Sequence, residues 1–501
     1  MFFSKSRYTR GTQCAKSLWL KTYKDEVLST PENTSDKFKT GNKVGDLACE
    51  LFPNGVKIEF EGSSLNEKCE QTKKLLENNQ EIIYEATFCY DGIVIMIDIL
   101  QNTKDGMIIN EVKSSTSLTK TPTSKVIKKT YIDDCSLQYY VLSNLNYKIK
   151  QVNLIHLNNE YHREDFLDIN QLFISNDITD KIIQNQEQVK ENLKYFEEIL
   201  SKNEEPNIDI GTHCFDPYEC DGYEYCWAKQ RNLCESENIF NISRLNANKK
   251  FELYYKNIIN FKDIKDLNVF NKNQQIQIKA SLNKEIQINK ENIKNFLNTL
   301  TYPIYHLDFE TFMQAVPEFK GVKPYMQIPF QYSLHIDYKD KLEHKEFLSE
   351  CGIDPRYELV RNLINDIPKD VCVLAYNASF EKSVIRNLAL AFPEFSEHLL
   401  NIEKNIKDLM IPFQNKDYYH YKMQGSYSIK KVLPALIPDM EQAYKNLGLI
   451  QNGSEAMKSF ETMQNMDENK RKALRQALLE YCKLDTLAMV KILKHLEELV
   501  K

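Results

Sequence analysis

The string His306-Leu307-Asp308-Phe309-Glu310-Thr311 sets two carboxylates two residues apart. Side chains alternate along a β-strand, so Asp308 and Glu310 share one face while Leu307 and Phe309 take the other. Adjacent carboxylates repel, and a fold tolerates them best where a divalent cation neutralises both. Two further strings carry acids. Tyr481-Cys482-Lys483-Leu484-Asp485 lies in the helical stretch 471–493, and its i, i+4 offset puts Tyr481 and Asp485 on one helical face. Between these strings, Ala375-Tyr376-Asn377-Ala378-Ser379-Phe380-Glu381 reads as a strand end entering a helix, with an acid at the turn.

In order and spacing these strings resemble the DEDD exonucleases, the DnaQ-like branch of the ribonuclease H fold, tyrosine subgroup. The first motif of that family matches Asp308 and Glu310, the second Glu381 (where the family usually has Asp), and the third Asp485 with Tyr481. Asp408 is a lesser candidate that would support the site. The resemblance implies phosphodiester hydrolysis by a pair of Mg2+ or Mn2+ ions held by four carboxylates. The ions generate hydroxide near neutral pH and stabilise the leaving oxygen. Tyr481 would orient the attacking water.

A second constellation lies near the amino terminus, in Ile97-Asp98-Ile99 and Asn110-Glu111-Val112-Lys113. If Thr103 and Gly106 close a hairpin, counting outward puts Asp98 opposite Glu111, with Lys113 on the face of Glu111. Asp and Glu bind a divalent metal, and Lys polarises water or a scissile phosphate. The trio resembles the PD-(D/E)xK nuclease core. An upstream metal-binding His of that family is not evident, and Glu50 is a weak substitute; Gln138 fits the family's following Gln, while Leu142 stands where a Tyr is usual.

The cysteines join this constellation. Cys214, Cys220 and Cys226 are spaced six apart behind the nuclease-like part, and Cys14 precedes it. One amino-terminal and three clustered carboxy-terminal cysteines resemble the RecB-type nucleases in which a [4Fe–4S] cluster staples the two ends of the nuclease domain; a four-cysteine Zn2+ site is the alternative. Cys234 is a spare thiol. The other cysteines, Cys49, Cys69, Cys89, Cys135, Cys351, Cys372 and Cys482 among them, read as scattered small hydrophobes, free of disulfides in a reducing compartment. As a whole the chain resembles an uncharacterised bacterial family that pairs a RecB-like iron–sulfur nuclease domain with a DnaQ-like domain of unknown function.

The elements that must position these residues follow from periodicity. Helical spacing marks 14–23, 37–51, 136–145 and 177–201, and alternation marks strands at 82–90, 92–100, 107–113 and 151–157. Residues 236–300 read as a helical connector with eleven basic and six acidic side chains, net +5. From 302 onward the pattern runs strand, strand, strand, helix near 354–365, strand, then helices. The expected class is α/β: a restriction-endonuclease-like domain at 1–235, the connector at 236–300, and a ribonuclease H-like domain at 301–501.

Composition sets the outer limits. A 501-residue chain that is 42% hydrophobic and 27% charged excludes wholesale disorder, and 14 Gly with 15 Pro exclude a collagen- or linker-like chain. No apolar run approaches the roughly 18 residues that span a bilayer, and the first residues carry no secretory pattern. A net charge of −6 excludes a uniformly basic coat but not a local basic groove, and Lys113, Lys120, Lys125, Lys128 and Lys129 crowd 112–130 without an acid. The expectation is a cytoplasmic, metal-dependent nuclease with two active sites, its C-terminal site a 3′–5′ exonuclease, its partner DNA more than RNA, and no membrane. The alternative is a nucleic-acid-binding or assembly module with one or both cores inactive.

Overall fold

Alternating β-branched residues at 82–100 make a hairpin at the heart of the larger sheet. In the computed structural model, which describes residues 3–29, 34–59, 62, 64–121, 123–233 and 237–501, the chain divides into two units. These are Met1–Cys234 with Gln314–Tyr325, and Glu235–Met313 with Met326–Lys501. Both are α/β. Cys234 and the first residue of the expected connector lie outside the described residues.

The first unit is built on strands β1 (Phe3–Ser4), β2 (Val56–Lys57), β3 (Ile82–Tyr90), β4 (Ile93–Thr103), β5 (Gly106–Lys113), β6 (Ile149–Leu157) and β7 (Phe173–Asp177), in the order β2-β3-β4-β5-β6-β7 with β1 added alongside β4. Its helices are α1 (Lys5–Gln13), α2 (Ala15–Tyr23), α3 (Thr34–Cys49), α4 (Leu65–Glu77), α5 (Lys129–Asn144), α6 (Ile169–Leu172), α7 (Thr179–Gln184) and α8 (Gln186–Ser201). The β4–β5 register pairs Thr103 with Gly106 and Ile99 with Asn110, as the turn chemistry requires. Gly106 has φ +136°, and a Cβ there would stand 2.8 Å from the Lys148 carbonyl oxygen, so the turn needs glycine. One sheet face buries Ile83, Ile95, Ile97 and Ile109 under Leu137 and Val141 of α5 and Phe196 of α8. Gly11 of α1 meets that ring so closely that a Cβ would lie 2.7 Å from it. The helix expected at 177–201 is two helices broken at Asn185, entered from β7.

One cysteine expectation is corrected here. Cys69 on α4 and Cys89 on β3 are joined in a disulfide, because α4 packs directly along β3.

In the second unit, β9 (Ile304–Phe312), β10 (Ile328–Asp337), β11 (Leu342–Leu348), β12 (Cys372–Ala375) and β13 (Ile406–Asp408) form a sheet ordered β11-β10-β9-β12-β13, while β8 (Ile286–Ile288) pairs with β14 (Tyr418–His420). β12 runs parallel to β9 and β13, and β10 antiparallel to β9 and β11. The helices are α9 (Ala247–Tyr255), α10 (Lys272–Asn283), α11 (Lys290–Leu297), α12 (Arg356–Asp366), α13 (Ser379–Ala391), α14 (Ser396–Asn405), α15 (Ile411–Gln414), α16 (Ile429–Leu436), α17 (Glu441–Lys445), α18 (Gly453–Met463) and α19 (Glu468–Val500). Leu307, Phe309, Leu334 and Ile336 bury one sheet face against α12, α13 and α14. The other face takes α19. The stretch expected as a free-standing connector belongs to this unit: β8 pairs with β14, and Ala280 and Ile293 join the core of Phe413, Tyr419 and Leu493.

Among the described residues no helix is long and apolar enough to cross a membrane.

Candidate functional site

β9 is the central strand of its sheet, and its alternation is the expected one: Leu307 and Phe309 enter the apolar core, which turns Asp308 and Glu310 toward α19. The neighbouring strand supplies a polar face in register, Gln331 beside Glu310, Ser333 beside Asp308 and His335 beside His306. These buried groups fasten α19. The Gln331 amide donates to the Leu478 carbonyl at 2.9 Å, and the Thr486 hydroxyl lies 2.7 Å from both Ser333 Oγ and His335 Nδ1. That anchorage fixes the helical turn carrying Tyr481, Cys482 and Asp485.

The four expected acids come together. Asp308 and Glu310 are each raised well above the carboxylate range, first by burial and then by neighbouring negative charge, from Asp485 on the first and from Asp308 and Asp485 on the second. Glu381, in the first turn of α13, is 2% exposed and is raised by burial and then by Asp308; its Oε2 has no hydrogen-bond partner. Asp485 is pushed up to about 6 by burial, held from rising further by the Tyr444 and Tyr481 phenols and by Lys430. Among the described residues none of the four pairs with a lysine, arginine or histidine. Uncompensated buried carboxylates of this kind have the donor chemistry of a hard divalent cation.

Tyr481 is 4% exposed beside these acids, and burial followed by the field of Asp485, Glu310 and Asp308 keeps its phenol protonated. Asp408 sits at the end of β13, where its Oδ1 accepts from the backbone N–H of Asn377 at 3.0 Å and of Met410 at 2.9 Å. It shapes the loop that leads into Glu381.

Two residues here lay beyond the sequence reading. Tyr444 on α17 donates to Asp485 Oδ1 at 2.5 Å, from a segment with no strand or helix pattern to flag it. Cys482, read as a small hydrophobe, is buried as expected, but its Sγ lies 3.7 Å from Asp308 Oδ2. Asp308, Glu310 and Cys482 each present a ligand atom within 4.8 Å of the others. Helical spacing held that signal, since Cys482 stands three residues before Asp485 and so shares its face of α19.

In the first unit, Glu111 and Lys113 extend the Met107–Ile109 face toward α5 and α1. Lys113 Nζ lies 2.6 Å from Glu111 Oε1 and 2.7 Å from Asp134 Oδ2. Lys5, from the start of α1, reaches the same two acids, at 3.1 Å from Glu111 Oε2 and 3.1 Å from Asp134 Oδ1. The Gln138 amide donates to Glu111 Oε2 at 2.6 Å. Asp98 lies one residue past the last β4–β5 pair, and its Oδ2 accepts from the Val112 N–H at 2.6 Å. Glu111 rises to about 7 through burial and then the charges of Asp134 and Asp98. Burial also pushes Asp134 upward, but Lys113 and Lys5 outweigh it and hold that carboxyl well below its usual range.

Asp98, Glu111 and Lys113 therefore do converge. Lys5, Asp134 and Glu85 were not foreseen. Glu85 faces Asp98 from β3 with φ +55°, and its carboxyl is raised by burial. Glu50 is exposed just beyond α3.

Cys14, at the junction of α1 and α2, lines one pocket with Cys214, Cys220 and Cys226. The Cys220 N–H donates to the Cys214 carbonyl at 2.8 Å, and the Cys226 N–H to the Gly222 carbonyl at 2.9 Å. A bidentate Arg10–Asp221 pair at 2.7–2.8 Å ties α1 to the cysteine loop. Burial raises the Cys220 thiol and pushes Cys226 up to about 11. No three of these sulfurs come within 4.8 Å of one another. They surround the pocket rather than meet in it.

Comparison with known proteins is sparse. A family model described as a domain of unknown function (DUF2779) matches residues 305–428, which include Asp308, Glu310 and Glu381. An uncharacterized protein of Mycoplasma genitalium is 26% identical over 227 residues, covering 42% of this chain and 34% of that protein. The chain thus matches about a third of the length of this curated relative. No solved structure matches.

Proposed function

We propose that the chain is a metal-dependent nuclease of the cytoplasm, with a DEDD-type 3′–5′ exonuclease site in a ribonuclease H-like second unit. The observation that carries this reading is the gathering of Asp308, Glu310, Glu381 and Asp485 without a counter-charge. The sheet order β11-β10-β9-β12-β13, with the first two acids on its central strand, supports it. Asp308, Glu310, Glu381 and Asp485 would hold Mg2+ or Mn2+, which when bound supplies hydroxide near neutral pH and stabilises the leaving oxygen. Tyr444 keeps the Asp485 carboxylate oriented, and Tyr481, whose phenol stays protonated beside the acids, would orient the attacking water.

The first unit carries the proposed PD-(D/E)xK site, with Asp98 and Glu111 as ligands and Lys113 as the group that polarises water or phosphate. Its four cysteines are read as the ligands of a [4Fe–4S] cluster. The four thiols line one pocket, as a [4Fe–4S] cluster or the alternative four-cysteine Zn2+ site would require.

The decisive experiment follows 5′-labelled single-stranded DNA and RNA in Mg2+ and in Mn2+, for wild type, Asp308→Asn and Lys113→Ala. Stepwise shortening that Asp308→Asn abolishes is the expected result. Intact label with wild type in both metals would refute the proposal.

One observation favours a narrower reading, in which the first unit binds nucleic acid without cutting it. Lys5, Lys113 and Gln138 already occupy every Glu111 oxygen that a cation would need.

A further inference from the structure

Tyr444, the partner of Asp485, also lines an open pocket of about 390 Å³, together with Lys422, Lys430, Lys431 and Gln451 among others. That volume is in the range of sites that hold a nucleotide-sized ligand. Tyr444 is the link between the pocket and the acids: it lines the pocket, and its hydroxyl donates to Asp485. The lysine charge also reaches the acids, since Lys430 lowers the carboxyls of Glu310 and Asp485.

The lysines are placed against local preference. Lys430 and Lys431 occupy the first turn of α16, which holds no acid. Cations at that end of a helix oppose its dipole, and acids are the stabilising choice there. Their partners are neutral: Lys430 donates to the Gln451 carbonyl at 3.3 Å, and Lys431 to Gln424 Oε1 at 3.4 Å. Among the described residues neither they nor Lys422 pairs with a carboxylate. Positive charge placed against the helix dipole, unneutralised and lining a pocket, calls for an anion.

We propose that this pocket seats the end of a single strand, with the phosphates that precede the terminal nucleotide on Lys430, Lys431 and Lys422 and the scissile phosphodiester turned past Tyr444 toward the carboxylates. This rests on the exonuclease reading of the acids and adds to it the element that captures the strand end. Lysines on one side and the metal-ligating acids on the other would hold a phosphodiester between two fixed groups of charge, which sets its orientation as well as its affinity.

The test is the double variant Lys430→Gln/Lys431→Gln. Fluorescence anisotropy in EDTA measures binding of labelled 12-nucleotide DNA and RNA strands across a salt series. Strand affinity should fall on the order of 10-fold, and the salt slope should shrink by about 1.4, at about 0.7 for each phosphate no longer neutralised by a lysine. Unchanged affinity and an unchanged salt slope in a variant whose unfolding matches wild type would overturn the pocket even if wild type cuts. Loss of strand binding in a protein that never cuts would uphold the pocket and sink the exonuclease reading instead.

Discussion

Asp485→Asn should make the metal-free protein more stable while removing its activity. The Asp485 carboxyl stands at about 6 instead of its usual 3.8, chiefly because it is buried. A displacement of that size, at 1.36 kcal/mol per unit, makes the ionised form cost about 3 kcal/mol in the folded state. Because the folded value is raised, the penalty is absent below the unfolded value, grows as pH climbs from 3.8, and is complete above about 6. Asparagine keeps an oxygen to accept from Tyr444, so the swap removes charge without stranding that hydroxyl. It also relieves Asp308 and Glu310, both of which feel Asp485.

Differential scanning calorimetry in EDTA reads this directly. At about 2–4 °C per kcal/mol for a unit of this size, the transition of the second unit should rise by about 6–12 °C at pH 7.5, with the gap closing toward pH 4. Adding Mn2+ should reverse the order, because wild type gains RT ln(1 + [L]/Kd) and the variant gains less. A variant that is less stable than wild type at pH 7.5 in EDTA, or a gap that ignores pH, would refute the electrostatic account of the site.

Two shorter expectations concern the first unit. Lys5→Met removes one of the two lysines on Glu111 and Asp134, so the apo protein should lose about 2–3 kcal/mol in urea unfolding, while the affinity of that unit for Mn2+, read by titration calorimetry in an Asp308→Asn background, should rise; unchanged Mn2+ affinity would mean that Lys5 does not compete with a cation. Anaerobically purified wild type should be brown with a broad band near ~400 nm, and Cys226→Ser should lose it; a colourless wild type containing zinc would assign the thiols to the other metal.

Much of this was legible where local rules act alone. The hairpin of β4 and β5 follows from turn chemistry and period-two alternation, so the approach of Asp98 to Glu111 could be counted out from Thr103 and Gly106. Asp308 and Glu310 followed from alternation, and Tyr481 with Asp485 from helical spacing. What stayed hidden is tertiary. The α1 sequence KSRYTRGTQ has no apolar stripe, so neither the helix nor the arrival of Lys5 at Glu111 could be read from it. Asp134 lies ahead of the helix expected at 136–145, and only the longer α5, from Lys129, brings it to Lys113. Glu85 faces Asp98 at a residue of positive φ that strand alternation does not announce. Gln331, Ser333 and His335 were visible as a strand, but only the register with β9 shows them to be the socket of α19.

The two units meet the same electrostatic problem in opposite ways. Buried carboxylates must be neutralised by protons, by lysines or by an imported cation. In the first unit Lys5 and Lys113 supply the charge from within, which is why Asp134 stays ionised at low pH. In the second unit Lys430 is the one cation whose field reaches both Glu310 and Asp485 among the described residues, and it makes an ion pair with neither. The acids there rise toward neutrality instead, and Glu381 keeps an oxygen with no partner. A site that gives up stability to hold four acids unpaired gains nothing from them structurally, because asparagine and glutamine would fill the same space at lower electrostatic cost. The metal binding proposed above would give the four acids a use that protonation alone does not, which makes the second unit, more than the first, the place where metal-dependent chemistry is to be sought.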